Sequence, residues 1–179
     1  GTGGLTAKLF ADYYDYTLDK EFLKEYAYPA VHGCSRFMQK SVKKYGDEYL
    51  CMVSASPEQI LSGVYLNGYK EQQYYATVGC AFDQQMLCEN AKDDIRFSKI
   101  LGKEDETVKL EKRRIERFSP VNIGYSGQVK EYGEEKFYGE VGAAWHRHIS
   151  QLMGLMPGSI INEDTPAWLD SAKRTLDLR

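Results

Sequence analysis

Residues 81–102 read AFDQQMLCENAKDDIRFSKILG and carry the clearest helical pattern in the chain. Their apolar side chains fall into two rows with a spacing of four residues, which places each row along one side of an α-helix. The first row consists of Phe82 and Met86, and the second of Leu87, Ala91 and Ile95. A glycine commonly follows the last residue of a helix. The pattern therefore predicts a long helix that ends near Leu101-Gly102 and packs against a core.

The first third of the chain also has helical spacing, in the apolar residues Leu9, Phe10, Tyr13 and Tyr14. Asp19 is a favourable N-cap for a second helix that begins near Lys20. Pro29 should kink that helix or divide it in two, because proline lacks the backbone N–H that a regular helix uses.

Two further helices are predicted in the second half of the chain. A charged helix should cover about Glu104 to Arg117. The last helix should begin with Thr165 as N-cap and Pro166 at the first helical position, which is a typical start signal.

The remaining segments favour loops and short extended pieces. Residues 49–53 are apolar and predict a brief extended segment, whereas residues 60–80 have no clean period and predict a loop. Residues 119–142 predict loops with one short extended piece. The chain is therefore expected to form one mainly α-helical domain over residues 1–179.

The composition describes an ordinary globular protein, with 42% hydrophobic and 27% charged residues among 179. The net charge of −3 argues against binding to phosphate backbones. No apolar run is long enough to span a membrane, and the first residues, GTGG, are not a signal peptide. We therefore expect neither nucleic acid nor a membrane as a partner.

The four cysteines lack the spacing of a metal site and are predicted to be reduced, mostly buried thiols.

Residues 145–152 read WHRHISQL and hold two of the three histidines in the chain, with Arg147 between them. Arginine and histidine side chains can hold a polar ligand through several hydrogen bonds. The alternative is a pair of structural histidines, His146 and His148, at the junction of a helix and a loop. The sequence alone leaves both interpretations open.

Glu58 is the candidate for acid–base chemistry. It follows Pro57 in a loop of small residues, so a fixed backbone could project its carboxyl group into a cleft. Hydrolysis of a glycosidic bond needs such a group to give a proton to the leaving oxygen. The alternative is that Ser56 caps a helix and that Glu58 lies in its first turn.

Five segments, in order, resemble motifs of glycoside hydrolase family 95, the α-L-fucosidases and their relatives. They are YTLDKEFL at 16–23 with YP at 28–29, SASPEQ at 54–59, PVNIGYSGQVKEY at 120–132, WHRHISQLMGLMPG at 145–158, and TPAWL at 165–169 with AKRTLDLR at 172–179. The chain thus resembles a central part of the family's catalytic domain, over nearly its whole length.

The resemblance implies about half of an (α/α)6 barrel, with long loops and short extended segments. It implies that Glu58 is the general acid of an inverting exo-glycosidase and that Arg147 and His148 hold the sugar. His146 and Glu131 are possible supporting residues, and Asp83 falls where a cap or a packing role is expected. The implied partner is an oligosaccharide or glycan, with no cofactor and no metal. A secreted or periplasmic location is favoured by the family alone.

This chain departs from the family pattern at several positions. Gln151 and Tyr132 replace a histidine and a tryptophan of the family motifs, and residues 5–14 lack the histidine and tryptophan positions of the corresponding family helix. The motifs that carry the water-orienting asparagines and the aspartate base do not occur in these 179 residues. We therefore expect a fragment or a truncated product with little activity of its own and with uncovered helix faces that could self-associate.

Three functions stay open from the sequence. The first is a piece of an α-L-fucosidase, or of an α-L-galactosidase, since the two sugars differ by one hydroxyl group. The second is a non-catalytic carbohydrate-binding domain, which the replaced histidine and tryptophan would favour. The third is a helical interaction module without a ligand.

Overall fold

The computed structural model of the protein describes residues 1–58, 76–141 and 144–179, and between 59 and 75 only the backbone of four two-residue strands. The described part is mainly helical. Its α-helices are α1 (Thr2–Thr17), α2 (Lys20–Phe22), α3 (Tyr28–Ser41), α4 (Ala81–Leu101), α5 (Glu106–Arg114) and α6 (Pro166–Leu178). A π-helical turn joins α2 to α3 at Leu23–Ala27, and 3-10 turns occur at Ile115–Arg117 and Ser150–Leu152. This architecture is compatible with part of an α/α barrel.

Helix α4 lies at the centre of the fold and packs against α1, α3 and α5. The helix predicted from residues 81–102 is confirmed, and it ends with Gly102 in the left-handed conformation. Met86 and Ala91, one from each predicted row, are fully buried. The burial extends beyond an apolar stripe, because most residues of α4 are inaccessible to solvent.

The buried polar side chains of α4 fasten other segments to it. Gln84 accepts a hydrogen bond from the backbone N–H of Cys51 (2.8 Å), and Asn90 donates to the backbone oxygen of Val31 (3.1 Å). Glu89 accepts a bond from the N–H of Ile160 (2.7 Å). Buried polar groups are costly unless they are hydrogen-bonded. These bonds explain why the polar side of a helix that reads as amphipathic is buried here.

The second predicted helix begins as expected, because the Asp19 side chain accepts hydrogen bonds from the N–H groups of Glu21 and Phe22. The π-helical turn ends at Ala27, two residues before Pro29, which supplies no N–H to the regular pattern. The helix therefore deviates at the proline and then continues to Ser41.

The short β-structure lies between α3 and α4. Strands β1 (Val42–Tyr45) and β2 (Glu48–Cys51) form an antiparallel hairpin. The extended segment predicted at 49–53 is confirmed for residues 49–51, whereas residues 52 and 53 lie in a bend. The prediction of a loop over 60–80 is wrong at four two-residue strands, whereas residues 76–80 form a loop with one isolated bridge. Strand β3 (Ile60–Leu61) pairs with β6 (Gln73–Tyr74), and β4 (Tyr65–Leu66) pairs with β5 (Tyr69–Lys70). Such two-residue pairs are too short to show a period in the sequence.

The later elements agree with the sequence in position and differ in one detail. Helix α5 and its 3-10 extension cover the predicted charged helix, and an isolated bridge between Ile123 and Val129 is the extended piece within 119–142. Helix α6 starts after Thr165, as predicted, but the Thr165 hydroxyl does not cap it. That hydroxyl donates within the preceding turn instead, to the backbone oxygens of Ile160 and Asn162.

Two clusters of buried apolar residues form the core. One lies between α1, α3 and the end of α4, around Leu23 and Phe97. The other joins α4 to the hairpin, to residues 118–132 and to 152–161, and it contains the side chain of Tyr132. The cysteines are free thiols, as predicted, and three of the four are buried. Among the described residues, no helix has the length and the apolar character needed to cross a membrane.

Candidate functional site

The loop that carries Glu58 is attached to the start of α4. Its residue Ser54 forms a bridge with Thr77 and donates a hydrogen bond to the carboxylate of Asp83 (2.5 Å). The Ser54 hydroxyl also accepts a bond from the backbone N–H of Cys80 (3.0 Å). Asp83, for which the sequence predicted a cap or packing role, thus holds this loop against the helix.

Residues 54–58 form a turn, not a helix, so the alternative in which Ser56 opens a helix at Glu58 is wrong. The Ser56 hydroxyl is buried and donates a hydrogen bond to the carboxylate of Glu131. Glu58 itself has a φ of 58°. This left-handed conformation costs a residue other than glycine about 1–2 kcal/mol. Such backbone strain is concentrated at functional sites in proteins.

The second loop of the site carries His146, Arg147 and His148. The Arg179 side chain donates to the backbone oxygen of His148 (2.6 Å), and the His148 N–H donates to Nδ1 of His146 (3.2 Å). Just beyond, Gln85 of α4 donates to the backbone oxygen of Gln151 (2.8 Å). The loop is therefore fixed to the same helix that holds the loop of Glu58.

The two loops meet at Glu58. Its Oε2 atom contacts the guanidinium group of Arg147, 89 positions away in the sequence, and lies 3.7 Å from Nε2 of His148. The ring of His146 lies edge-on to that of His148, with 4.9 Å between the ring centroids. The structure thus brings together four of the five candidate residues on one partly exposed surface.

Charge and burial differ among these groups. The Glu58 and Arg147 side chains are 47% and 69% exposed, so their ion pair is screened by solvent. Burial, followed by electrostatic repulsion from the neighbouring His148, Arg147 and Arg179 side chains, lowers the pKa of His146 below its ordinary value. His146 is therefore mainly neutral at pH 7. The surface offers one carboxyl group beside several nitrogen donors, which can bind hydroxyl groups and transfer a proton.

Glu131, the fifth candidate, lies beneath this surface and is buried. Its backbone N–H donates to the Glu135 carboxylate (2.7 Å), and its backbone oxygen accepts from the N–H of Ala81 (3.0 Å). Burial raises the pKa of Glu135. Glu131 therefore connects the loop of Glu58 with the start of α4 and with the turn at Glu135.

Two of the departures from the family motifs are buried. Tyr132 is 1% exposed, and burial raises the pKa of its hydroxyl group. Gln151 is 2% exposed, and its side-chain oxygen has no hydrogen-bond partner among the described residues. A large aromatic ring is thus retained in the core at Tyr132.

Comparison with known proteins decides the family. Residues 2–179 match the model of the glycosyl hydrolase family 95 catalytic domain. The chain belongs to glycoside hydrolase family 95. The resemblance found in the sequence motifs is therefore confirmed.

Two curated relatives show how much of a longer protein the chain matches. The chain is 31% identical over 172 residues to alpha-L-fucosidase 2 of Arabidopsis thaliana, covering 94% of this chain and 19% of that protein. It is 28% identical over 153 residues to the probable alpha-fucosidase A of Aspergillus niger, covering 84% of this chain and 18% of that protein. The chain spans about a fifth of the length of these curated relatives.

The sequence pointed to Asp83 but not to two other residues that support the site, Gln85 and Glu135. Gln85 acts across a long sequence separation, with 69 positions between it and Gly154, whereas Glu135 accepts bonds from the backbone N–H groups of Glu131 and Gly139. No local pattern marks them, because a single buried glutamine or glutamate has the same sequence signature as an exposed one.

Proposed function

We propose that this chain forms part of the catalytic domain of an inverting α-L-fucosidase-like glycosidase, with Glu58 as the general acid. The contact between Glu58 and Arg147 is the observation that carries the proposal. It joins the two sequence motifs in which the family resemblance locates the acid and the sugar-binding residues. The α/α barrel architecture and the assignment of residues 1–179 to one part of it belong to the same proposal.

In the proposed mechanism, protonated Glu58 gives its proton to the glycosidic oxygen while the bond from that oxygen to the anomeric carbon breaks. A water molecule attacks the anomeric carbon from the opposite face and loses its proton to a base. The residues of this chain supply the acid and the sugar contacts. Since the chain spans about a fifth of its relatives' length, we assign the base to another part of the catalytic domain.

Arg147 and His148 would bind sugar hydroxyl groups. Arginine presents a rigid fork of N–H donors, and histidine can donate or accept. Both contact the same oxygen of Glu58. Bound sugar must therefore separate Arg147 from Glu58, so that Glu58 can approach the glycosidic oxygen.

An exposed aromatic side chain next to these residues in the sequence also suits a sugar ligand. Trp145 is 82% exposed and directly precedes His146. The apolar C–H face of a sugar ring can pack on such a ring, while its hydroxyl groups need polar partners. This observation also favours the second candidate, a carbohydrate-binding domain without catalysis.

The experiment compares two substrates of the full-length parent protein. Glu58→Gln should remove most activity on natural glycans and spare much more on a fucoside with an acidic leaving group, because such a group departs without a proton. Exposed Glu106→Gln serves as the matched control. Equal losses of kcat/KM on both substrates would mean that Glu58 binds sugar or holds the loop. Sugar binding without turnover in the unsubstituted protein would support the second candidate.

A further inference from the structure

The candidate site contains three side chains of the kinds that ligate metals: Glu58, His146 and His148. Each offers one ligand atom, and these atoms all lie within 4.8 Å of one another. We propose that this cluster binds a zinc ion, and that the bound zinc inhibits the site because it coordinates the Glu58 carboxylate. The inference goes beyond the proposed hydrolysis, which uses no metal.

The spacing of the donor atoms suits a small cation. Zinc binds nitrogen and carboxylate oxygen at about 2.0–2.2 Å, usually with tetrahedral geometry. Donor atoms around such an ion lie roughly 3.3–3.5 Å apart. His148 Nε2 and Glu58 Oε2 are 3.7 Å apart, and small rotations of these partly exposed side chains bring the remaining distances into range.

The chemistry of the ligands selects the ion. Two imidazoles and one carboxylate suit zinc and its neighbours among the transition metals. Magnesium and calcium prefer sets made of oxygen ligands, and this cluster offers a single carboxylate. Three protein ligands leave a fourth position for water.

Arg147 is the main competitor of the ion, because its guanidinium group contacts the same carboxylate. Its side chain is 69% exposed, and exposed ion pairs contribute only about 0–1 kcal/mol. Zinc can therefore displace the Arg147 side chain, which then points towards the solvent. The backbone N–H of His148, which donates to His146 Nδ1, can donate to a water molecule instead, because this surface is partly exposed.

The consequence for activity rests on the proposed function, whereas zinc binding does not. A carboxylate bound to zinc cannot deliver a proton to the glycosidic oxygen. Zinc should therefore inhibit the full-length parent, and the inhibition should weaken as the concentration of sugar rises.

The test is a calorimetric titration of zinc into the 179-residue chain. The chain contains three histidines in total, so His32, which pairs with Asp94 and Asp105, provides a matched control outside the cluster. We expect one equivalent of zinc to bind. Glu58→Gln, His146→Ala and His148→Ala should each weaken binding at least about tenfold, because even the loss of an outer partner of a ligand often costs that much.

The controls separate this site from other zinc-binding groups. His32→Gln should bind zinc as the unsubstituted chain does, and so should Cys34→Ser, which removes the one thiol that is partly exposed. Circular dichroism of each variant verifies that it is folded. Magnesium should not bind.

Three results would overturn the zinc site. They are zinc binding that survives all three cluster substitutions, a loss of zinc affinity in His32→Gln as large as in the cluster variants, or an affinity for magnesium equal to that for zinc. Zinc that binds to the cluster without inhibiting the full-length parent would support the metal site and count against Glu58 as the acid. The two proposals therefore fail in distinguishable ways.

Discussion

The hydroxyl group of Ser56 donates a hydrogen bond to the carboxylate of Glu131, which lies 75 positions further along the chain. Both side chains are buried beneath the loop that carries Glu58. Through the backbone bond from Ala81 to Glu131, this contact ties the loop to the first turn of α4. The position of Glu58 therefore depends on a buried carboxylate that does not itself reach the surface of the site.

Ser56→Ala should lower the free energy of unfolding by about 1–3 kcal/mol, because it removes a donor from a buried carboxylate. Denaturant titration of the chain measures this loss. Ser41→Ala is the matched control, since its hydroxyl group donates to a backbone oxygen of its own helix, that of Met38, and has no other hydrogen bond among the described residues. A loss no larger in Ser56→Ala than in Ser41→Ala would contradict the role of this bond.

Arg147→Ala should reduce kcat/KM of the full-length parent by about 10–100-fold, which corresponds to a loss of about 1.4–2.7 kcal/mol in charge-assisted contacts. The loss should be alike for natural glycans and for activated fucosides, because a sugar contact is removed whatever the leaving group. Arg147→Lys should restore little of the lost kcat/KM, since lysine lacks the planar fork of N–H donors that arginine has. Arg113→Ala, an exposed position on α5, is the control. A loss confined to natural glycans would instead give Arg147 a part in proton transfer.

Glu111 provides a prediction for stability against pH. Burial, and next the charge of Asp94, raises the pKa of Glu111 from 4.5 to about 9. Between these values the folded protein holds one proton more than the unfolded chain, so the stability that depends on this proton is lost as pH rises from 4.5 to about 9. Glu111→Gln lacks this titration. At pH 8 the variant should be more stable than the unsubstituted protein by at least about 1 kcal/mol.

Unfolding curves at pH 5 and pH 8 measure the effect of Glu111→Gln. Its advantage should be small at pH 5 and should grow towards pH 8. Glu106→Gln, an exposed change on the same helix, should not show this dependence, since Lys109 lowers the pKa of Glu106 and the titration lies below this range. An advantage of Glu111→Gln that is the same at both pH values would refute the raised pKa.

The 179-residue chain by itself should hydrolyse activated α-L-fucosides weakly or not at all. Removing a general base typically costs about 10²–10⁴-fold in rate, and we assign the base to another part of the catalytic domain. The measurement is an assay of the purified chain. Robust turnover that Glu58→Gln abolishes would mean that a carboxylate within these residues serves as the base.

The sequence by itself determined the helices and the family. Apolar rows such as Leu87 and Ala91 predict a helix, because residues four apart lie on the same side of it. The cap at Asp19 and the glycine at Gly102 set the ends of helices through local hydrogen bonds and backbone freedom. The motif residues Glu58, Arg147 and His148 were also recognisable, since the family resemblance rests on short sequence motifs that contain them.

The tertiary structure decided what local patterns cannot encode. The two-residue strands within 60–80 depend on pairing with one another, and the burial of polar residues on α4 depends on the segments that cover them. The contact of Glu58 with Arg147, and the bond of Ser56 with Glu131, join residues 89 and 75 positions apart. Such pairs form only when packing of the whole chain brings their loops together. The same holds for the cluster of two histidines and one carboxylate that we propose as a zinc site.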